Sequence, residues 1–285
     1  MPQPALHPRS LVGLILDMDG VLWRGSQPLG DLPALFRRLE DLGLRWVFVT
    51  NNATRSPADY VEKLARFGVP AQEEDILNSA LAAVAALRER WPQGDAVVHV
   101  LGEGALRDLI AQAGFSITAQ PQADAVVVAL DRSCTYAALE RATYAIRGGA
   151  WFVGTNPDRT YPTPQGLAPG AGALLAALEA ATDVAPTIVG KPEPWLFRLA
   201  LERLNARPEQ VLMVGDRLET DILGAQRLGI PTALVLSGVT TREQADAWSP
   251  PPHLIAPDFT AVVDWLARKR RGGPHILPSG PRRPV

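Results

Sequence analysis

A chain of 285 residues with 47% hydrophobic side chains can bury one large core or two moderate ones, which excludes disorder along its whole length and favours two units. The formal net charge of −2, with 20% charged residues, supplies no overall field for nucleic acid or an anionic membrane, so small or locally recognised partners are expected. One cysteine, Cys134, excludes an internal disulfide framework, suits a reducing compartment and reads as a packing residue; no run approaches the roughly 18 apolar residues of a membrane span, and a cytoplasmic location is expected.

In chain order, "LVGLIL" is a continuous apolar run of the kind buried on both faces of a parallel sheet, and it delivers Asp17 and Asp19 where it leaves the core. Asp31 can cap a helix with Pro33 in its first turn, Leu32, Leu35, Phe36 and Leu39 as its apolar stripe and Gly43 as its stop. "WVFVT" is the next strand and ends in Thr50, followed by Asn51. Ser56 and Pro57 open a second helix with Tyr60, Leu64 and Phe67 on one face and Gly68 at its end. This alternation predicts right-handed crossovers and an α/β fold, a doubly wound Rossmann-like parallel sheet.

"AVVHVLG", "AVVVALD" and "WFVGT" then read as strands, and residues 104–113, 135–147 and 171–181 as helices. A single crossover needs about 30 residues, so the stretch from residue 51 to 191 predicts an inserted α/β domain. "PTIVGKP" leads into a helix that puts Phe197, Ala200, Leu201 and Leu204 on one face; "VLMVGD" is a strand, residues 220–228 a short helix and "TALVLS" a strand. These segments read as the other half of the first sheet. The expected division is a discontinuous core of residues 1–75 and 188–265, an inserted domain of 76–187, and a basic, Pro- and Gly-rich disordered tail of 266–285.

Four apolar segments each end in a residue suited to phosphate or a metal: Asp17, Thr50 with Asn51, Lys191 and Asp216. Ligands of open parallel sheets bind at the carboxyl ends of the strands, so these positions can converge although 200 residues separate them. Asp17, Asp19 and Asp216 would crowd negative charge, which calls for a cation; all-oxygen ligands point to Mg²⁺. His7, His99, His253 and His275 have no metal-binding spacing. One carboxylate can attack phosphorus to form an aspartyl phosphate, and a second can protonate the leaving oxygen and later activate water. Thr50 and Asn51 offer donors to the phosphoryl oxygens, and Lys191 offers positive charge.

"DMDGVLWRG", "VTNNATRSP", "VGKPEP" and "MVGDRLETDILGA" resemble the four motifs of the haloacid dehalogenase superfamily in their expected order, and the insertion carrying "GTNPDRTYPTPQGLAPGAGALLAALE" resembles the C2 cap of its NagD-type, p-nitrophenyl-phosphatase-like branch. The resemblance spans residues 11 to about 265. It implies Asp17 as nucleophile and metal ligand, Asp19 as acid/base with its backbone carbonyl on the metal, Thr50 and Asn51 as phosphoryl holders, and Lys191 paired with nucleophile and phosphate. It further implies Asp216 as a direct metal ligand, Asp221 as a support for the metal, and substrate choice by the cap, where Arg159 and Tyr161 of the "NPDRTYP" loop are the expected contacts. The implied activity is Mg²⁺-dependent hydrolysis of a small phosphorylated metabolite, with homodimerisation through the cap left open and no nucleic-acid or membrane partner. Two rivals stand beside it. A non-catalytic phosphate-binding or phosphoacceptor protein could carry the same acidic strand ends. A dinucleotide site could use Gly102 and Gly104, although Arg107 stands where that fingerprint needs a third glycine.

Overall fold

The computed structural model describes residues 6–163 and 165–271. The first apolar run forms β1 (Gly13–Asp17), buried along its whole length. An antiparallel hairpin of β2 (Trp23–Arg24) and β3 (Gln27–Pro28) precedes α1 (Leu32–Asp41). Asp31 caps α1 by accepting from Ala34 N at 3.1 Å, and the expected four residues form its buried face. β4 (Arg45–Thr50) leads to α2 (Pro57–Arg66), which opens with a reciprocal capping box between Ser56 and Asp59. β5 (Ile76–Asn78) runs directly into α3 (Ser79–Arg90), where Asn78 caps Leu81 N at 2.9 Å.

β6 (Val97–Leu101), α4 (Gly104–Gln112), β7 (Ser116–Thr118), β8 (Ala125–Val128), α5 (Tyr136–Arg147) and β9 (Trp151–Gly154) follow. A second hairpin, β10 (Thr160–Thr163) with β11 (Gly166–Pro169), leads to α6 (Ala171–Thr182) and β12 (Thr187–Ile188). After α7 (Pro194–Leu204) come β13 (Val211–Gly215), a single π-helical turn (Leu218–Ile222) and α8 (Leu223–Arg227). β14 (Thr232–Val235), α9 (Arg242–Ala247), β15 (Leu254–Ala256) and α10 (Phe259–Arg271) end the described chain. No helix among the described residues is long and apolar enough to cross a membrane.

Two parallel sheets organise these elements. The first has the order β15-β14-β13-β1-β4-β5, and the second β12-β9-β8-β6-β7. β1 therefore sits between β4, reached early in the chain, and β13, reached after the whole insertion. That reversal of strand order is where a doubly wound sheet opens a crevice.

The structure departs from the expected division in three places. β5 lies beyond residue 75 yet forms an edge of the first sheet, because its register with β4 pairs Thr50 with Asn78. The "TIVG" segment is no strand of the first sheet: β12 pairs with β9 and closes an edge of the second. Residues 266–271 belong to α10, where Leu266 is fully buried, so the chain stays folded past the expected start of the tail; residues 272–285 lie outside the described residues.

Side chains on alternate positions of the first sheet enter different cores. Leu14, Leu16, Phe48 and Val214 face one side with α1 and α10, whereas Ile15, Val47, Val49 and Met213 face the other. This second cluster continues without a break into Val98, Val100, Ala125 and Val127 of the second sheet through the alanines of α3. The small side chains of Ala80, Ala82, Ala83 and Ala86, all fully buried, let α3 pack closely on both units.

Candidate active site

The carboxyl ends of β1, β4 and β13 lie side by side, since Leu16 is in register with Val214 and Asp17 with Val49. That register brings Asp17, Thr50 and Asp216 to one spot. Asp221 reaches the same spot from the π-helical turn after β13, a local widening of the helix of the kind often found at functional sites. One carboxylate oxygen from each of Asp17, Asp216 and Asp221 lies within 4.8 Å of the others, and all three residues are buried. Glycines permit this crowding, Gly238 among them, where a Cβ would stand 1.8 Å from Asp216 Oδ2. Gly20 turns the chain at φ +85°, and a Cβ there would stand 2.5 Å from Asp216 Oδ2; a Cβ on Gly215 would collide with the Asp221 side chain.

Lys191 enters on the turn that follows β12, where the chain leaves the second sheet. The residue is 2% exposed, and Nζ lies 2.5 Å from Asp17 Oδ1 and 2.7 Å from Asp221 Oδ1. The turn is fixed by Asn51, whose Oδ1 accepts from Lys191 N at 2.7 Å and whose Nδ2 donates to Lys191 O at 2.9 Å. Asn156 Nδ2 and Ser79 Oγ both donate to Asn51 O, at 2.8 and 2.6 Å. Asn51 was expected to hold a phosphoryl group, but its side-chain amide is engaged in carrying Lys191. Thr50 Oγ1 accepts from Asn52 N at 3.2 Å, which leaves its hydroxyl proton free to be aimed.

Three buried carboxylates against one ammonium leave two negative charges uncompensated when all are ionised. Burial, with Asp221 and Asp216 nearby, raises the Asp17 carboxyl well above its ordinary range despite the attraction of Lys191. Burial and Asp221 push Asp216 up to about 6. Burial pulls Lys191 down, but Asp17 and Asp221 outweigh it and hold the ammonium above its usual value. Asp216 Oδ2 accepts from Val239 N at 2.8 Å, whereas its buried Oδ1 has no hydrogen-bond partner among the described residues. An orphaned buried carboxylate oxygen in a three-carboxylate cradle fits a hard divalent cation.

Asp19 stands apart from this cradle. Its side chain is exposed toward the cavity, and Trp23 Nε1 donates to its Oδ1 at 2.8 Å. Its carboxylate is therefore not one of the clustered set expected to hold the metal.

Above the cluster lies a cavity of about 600 Å³ whose floor includes Asp17, Asp19, Thr50 and Lys191 and whose far wall comes from the second unit. Tyr161, on β10, lines it; Arg159, two residues earlier, is exposed and is not among the lining residues. Among the described residues lining the cavity, the cation from the second unit is Arg132, clamped by Glu103 through Nε at 2.6 Å and Nη2 at 2.7 Å. Asp158, Arg55 and Arg217 also line the cavity without having been expected. Arg55 and Arg217 lie inside the motif segments "VTNNATRSP" and "MVGDRLETDILGA", so motif proximity was a usable signal for them. Asp158 lies in the "NPDRTYP" loop from which Arg159 and Tyr161 were expected, whereas for Arg132 no local pattern pointed to the cavity. The Gly102 turn belongs to the second sheet's packing, where a Cβ would stand 2.8 Å from Leu106 Cδ2.

Known proteins resemble this chain over most of its length. Residues 14–116 match the family model of haloacid dehalogenase-like hydrolases, and residues 188–262 match a second, HAD-hydrolase-like model. The 5'-nucleotidase YutF of Bacillus subtilis is 36% identical over 255 residues, covering 89% of this chain and 97% of the relative. Among solved structures, a p-nitrophenyl phosphatase from Archaeoglobus fulgidus superposes with a TM-score of 0.84 at 32% identity, over 90% of this chain and 99% of that one. The glycerol phosphate phosphatase Rv1692 of Mycobacterium tuberculosis, solved with magnesium, gives 0.83 at 35% identity, over 90% of this chain and 78% of that one.

Proposed function

Because this chain belongs to the haloacid dehalogenase superfamily, in its NagD and p-nitrophenylphosphatase branch, and is a phosphoric monoester hydrolase, we propose that it hydrolyses small phosphomonoesters through a phosphorylated Asp17 with Mg²⁺ held by Asp17, Asp216 and Asp221. The observation that carries the reading is the buried meeting of three carboxylates with Lys191 at the floor of an open cavity. When bound, Mg²⁺ supplies positive charge to the cradle and to the phosphoryl oxygens. Asp17 uses a carboxylate oxygen to form the new O–P bond. The ester P–O bond breaks, and its electron pair leaves on the ester oxygen, which takes a proton from Asp19. Asp19, then ionised, takes a proton from the water that releases phosphate from Asp17. Lys191 stabilises charge on Asp17 and on the phosphoryl group, Thr50 donates its hydroxyl, and Asn51 contributes through its hold on Lys191.

The second unit, roughly residues 79–188, serves in this reading as the cap, with Arg132 and Tyr161 facing the part of the substrate beyond the phosphoryl group. Substrates of the nucleoside monophosphate, sugar phosphate or polyol phosphate type are supported by the relatives' activities and by the polar cavity wall. The test is phosphate release from p-nitrophenyl phosphate and from a panel of cellular phosphomonoesters, with Mg²⁺ and in excess chelator. Turnover that disappears in chelator and returns with Mg²⁺ is the expected result; full turnover in chelator contradicts it. A non-catalytic phosphate-binding role predicts retention of phosphate without release of product from any ester.

A further inference from the structure

Asp19 must give up a proton at a defined place, yet its side chain is exposed and free of the carboxylate cluster. Among the described residues its carboxylate receives one hydrogen bond, from Trp23 Nε1 to Oδ1 at 2.8 Å. Trp23 itself is fully buried. Its backbone pairs with Asp19 in an isolated bridge, and Gly20 N donates to Trp23 O at 2.8 Å, so the two residues are tied through main chain as well as side chain. The indole packs against Phe67 with ring centroids 5.7 Å apart, and Lys63 Nζ sits 4.0 Å above the ring centroid. A cation over the ring face is attracted by the π-system and draws electron density from it, which strengthens the N–H as a donor.

We propose that Trp23 is a positioning residue for the general acid, fixing which oxygen of Asp19 delivers the proton. An indole N–H is a donor only, so the oxygen it touches must accept. Because the carbonyl oxygen of a neutral carboxyl is a better acceptor than its hydroxyl oxygen, this bond favours the proton on Oδ2 and resists rotation of the carboxyl group. In the transfer step Oδ2–H breaks and the proton passes to the ester oxygen as the P–O bond cleaves; the electron pair of that O–H bond stays on Asp19, whose ionised form remains anchored through Oδ1. This inference rests on Asp19 acting as the acid in the proposed hydrolysis. The alternative is a buried tryptophan that fills the core and makes a polar tie with no consequence for proton delivery.

The two differ in how the rate depends on the leaving group. A p-nitrophenolate leaves without a proton, whereas an alkoxide needs one. Trp23 is replaced site-specifically by 3-benzothienylalanine, which keeps the bicyclic shape and lacks the N–H, and separately by Trp23→Phe. For each protein kcat/KM, which reports events up to the first irreversible step, is measured on p-nitrophenyl phosphate and on the alkyl phosphate that the wild type cleaves fastest, with Asp19→Asn in parallel. The ratio of the two values is independent of the fraction folded. The expected result is a loss of roughly tenfold or more on the alkyl ester against less than about threefold on p-nitrophenyl phosphate for both Trp23 replacements, and a larger contrast of the same sign for Asp19→Asn. If Asp19→Asn shows the contrast while the benzothienyl protein lowers both esters alike or neither, Trp23 is a packing residue and the inference is overturned. If Asp19→Asn itself lowers both esters equally, the acid role fails and the inference falls with it.

Discussion

Asp17, Asp216 and Asp221 crowd together at the floor of the cavity with one lysine, which pairs with Asp17 and Asp221, and the consequence is measurable in the protein without metal. Removing one negative charge relieves repulsion while Lys191 keeps Asp221 as a partner at 2.7 Å. Asp17→Asn should therefore abolish turnover and melt, free of metal, at or above the wild-type temperature; a clearly lower melting temperature would show that the Asp17–Lys191 pair outweighs the crowding. Asp216 makes the same point through pH. Its carboxyl is raised to about 6 by burial and by Asp221, against about 4 in an unfolded chain. Below pH 4 both states hold the proton; between pH 4 and 6 the unfolded chain releases it while the folded protein retains it, so stability falls as pH rises through that window. Mg²⁺ binds the ionised carboxylates and removes this loss, so the rise in melting temperature on adding Mg²⁺ should be small at pH 5 and larger at pH 7. An equal rise at both values would contradict a cation held by these groups. Asp17, Thr50 and Asp216 were legible in sequence because each follows an apolar run, whereas Asp221 was indicated by the family resemblance alone. Arg132 was not, because a cation on a loop becomes meaningful only when Glu103, 29 residues away, turns it toward the cavity.

Loops and helices show where reading a strand end is and is not enough. Lys191 was foreseen at a strand's end in the first sheet, but β12 is an edge of the second, and a two-residue strand gives no signal of which sheet it joins. What brings Lys191 to Asp17 is the pair of hydrogen bonds from the Asn51 carboxamide to its peptide groups. Asn51→Ala should cost about 2 kcal/mol of stability, two hydrogen bonds of about 1 kcal/mol each, and should lower turnover by loosening the lysine. Thermal melting and phosphate release check both, and an unchanged melting temperature would remove the tie from the account. α1 and α2 could be placed from sequence because each has a capping residue and a one-sided apolar stripe. α3 has neither a polar face nor a stripe: "SALAAVAALRER" is buried on two sides, so the period that marks a surface helix is absent. Its alanines are what make the two units one core.

The two sheets share that core, and their shared cluster runs from Ile15 and Met213 through α3 to Val98 and Val127. Domains joined by a short polar surface move and unfold separately, whereas a continuous apolar cluster couples them. Scanning calorimetry should give one transition for the whole chain, and two well-separated transitions would show that α3 belongs to one unit alone. This arrangement keeps Lys191, on the turn that leaves the second sheet after β12, in register with carboxylates carried by the first sheet, and the chemistry depends on that register. The most direct test uses Asp19→Asn, which should still pass phosphate from p-nitrophenyl phosphate to the enzyme but release it slowly, since the base for water is gone. Acid quenching within the first turnover, followed by borohydride trapping and peptide mass spectrometry, should locate the modified carboxyl at Asp17, accompanied by a burst of about one p-nitrophenolate per active site. A modified carboxyl at any other residue would contradict the account.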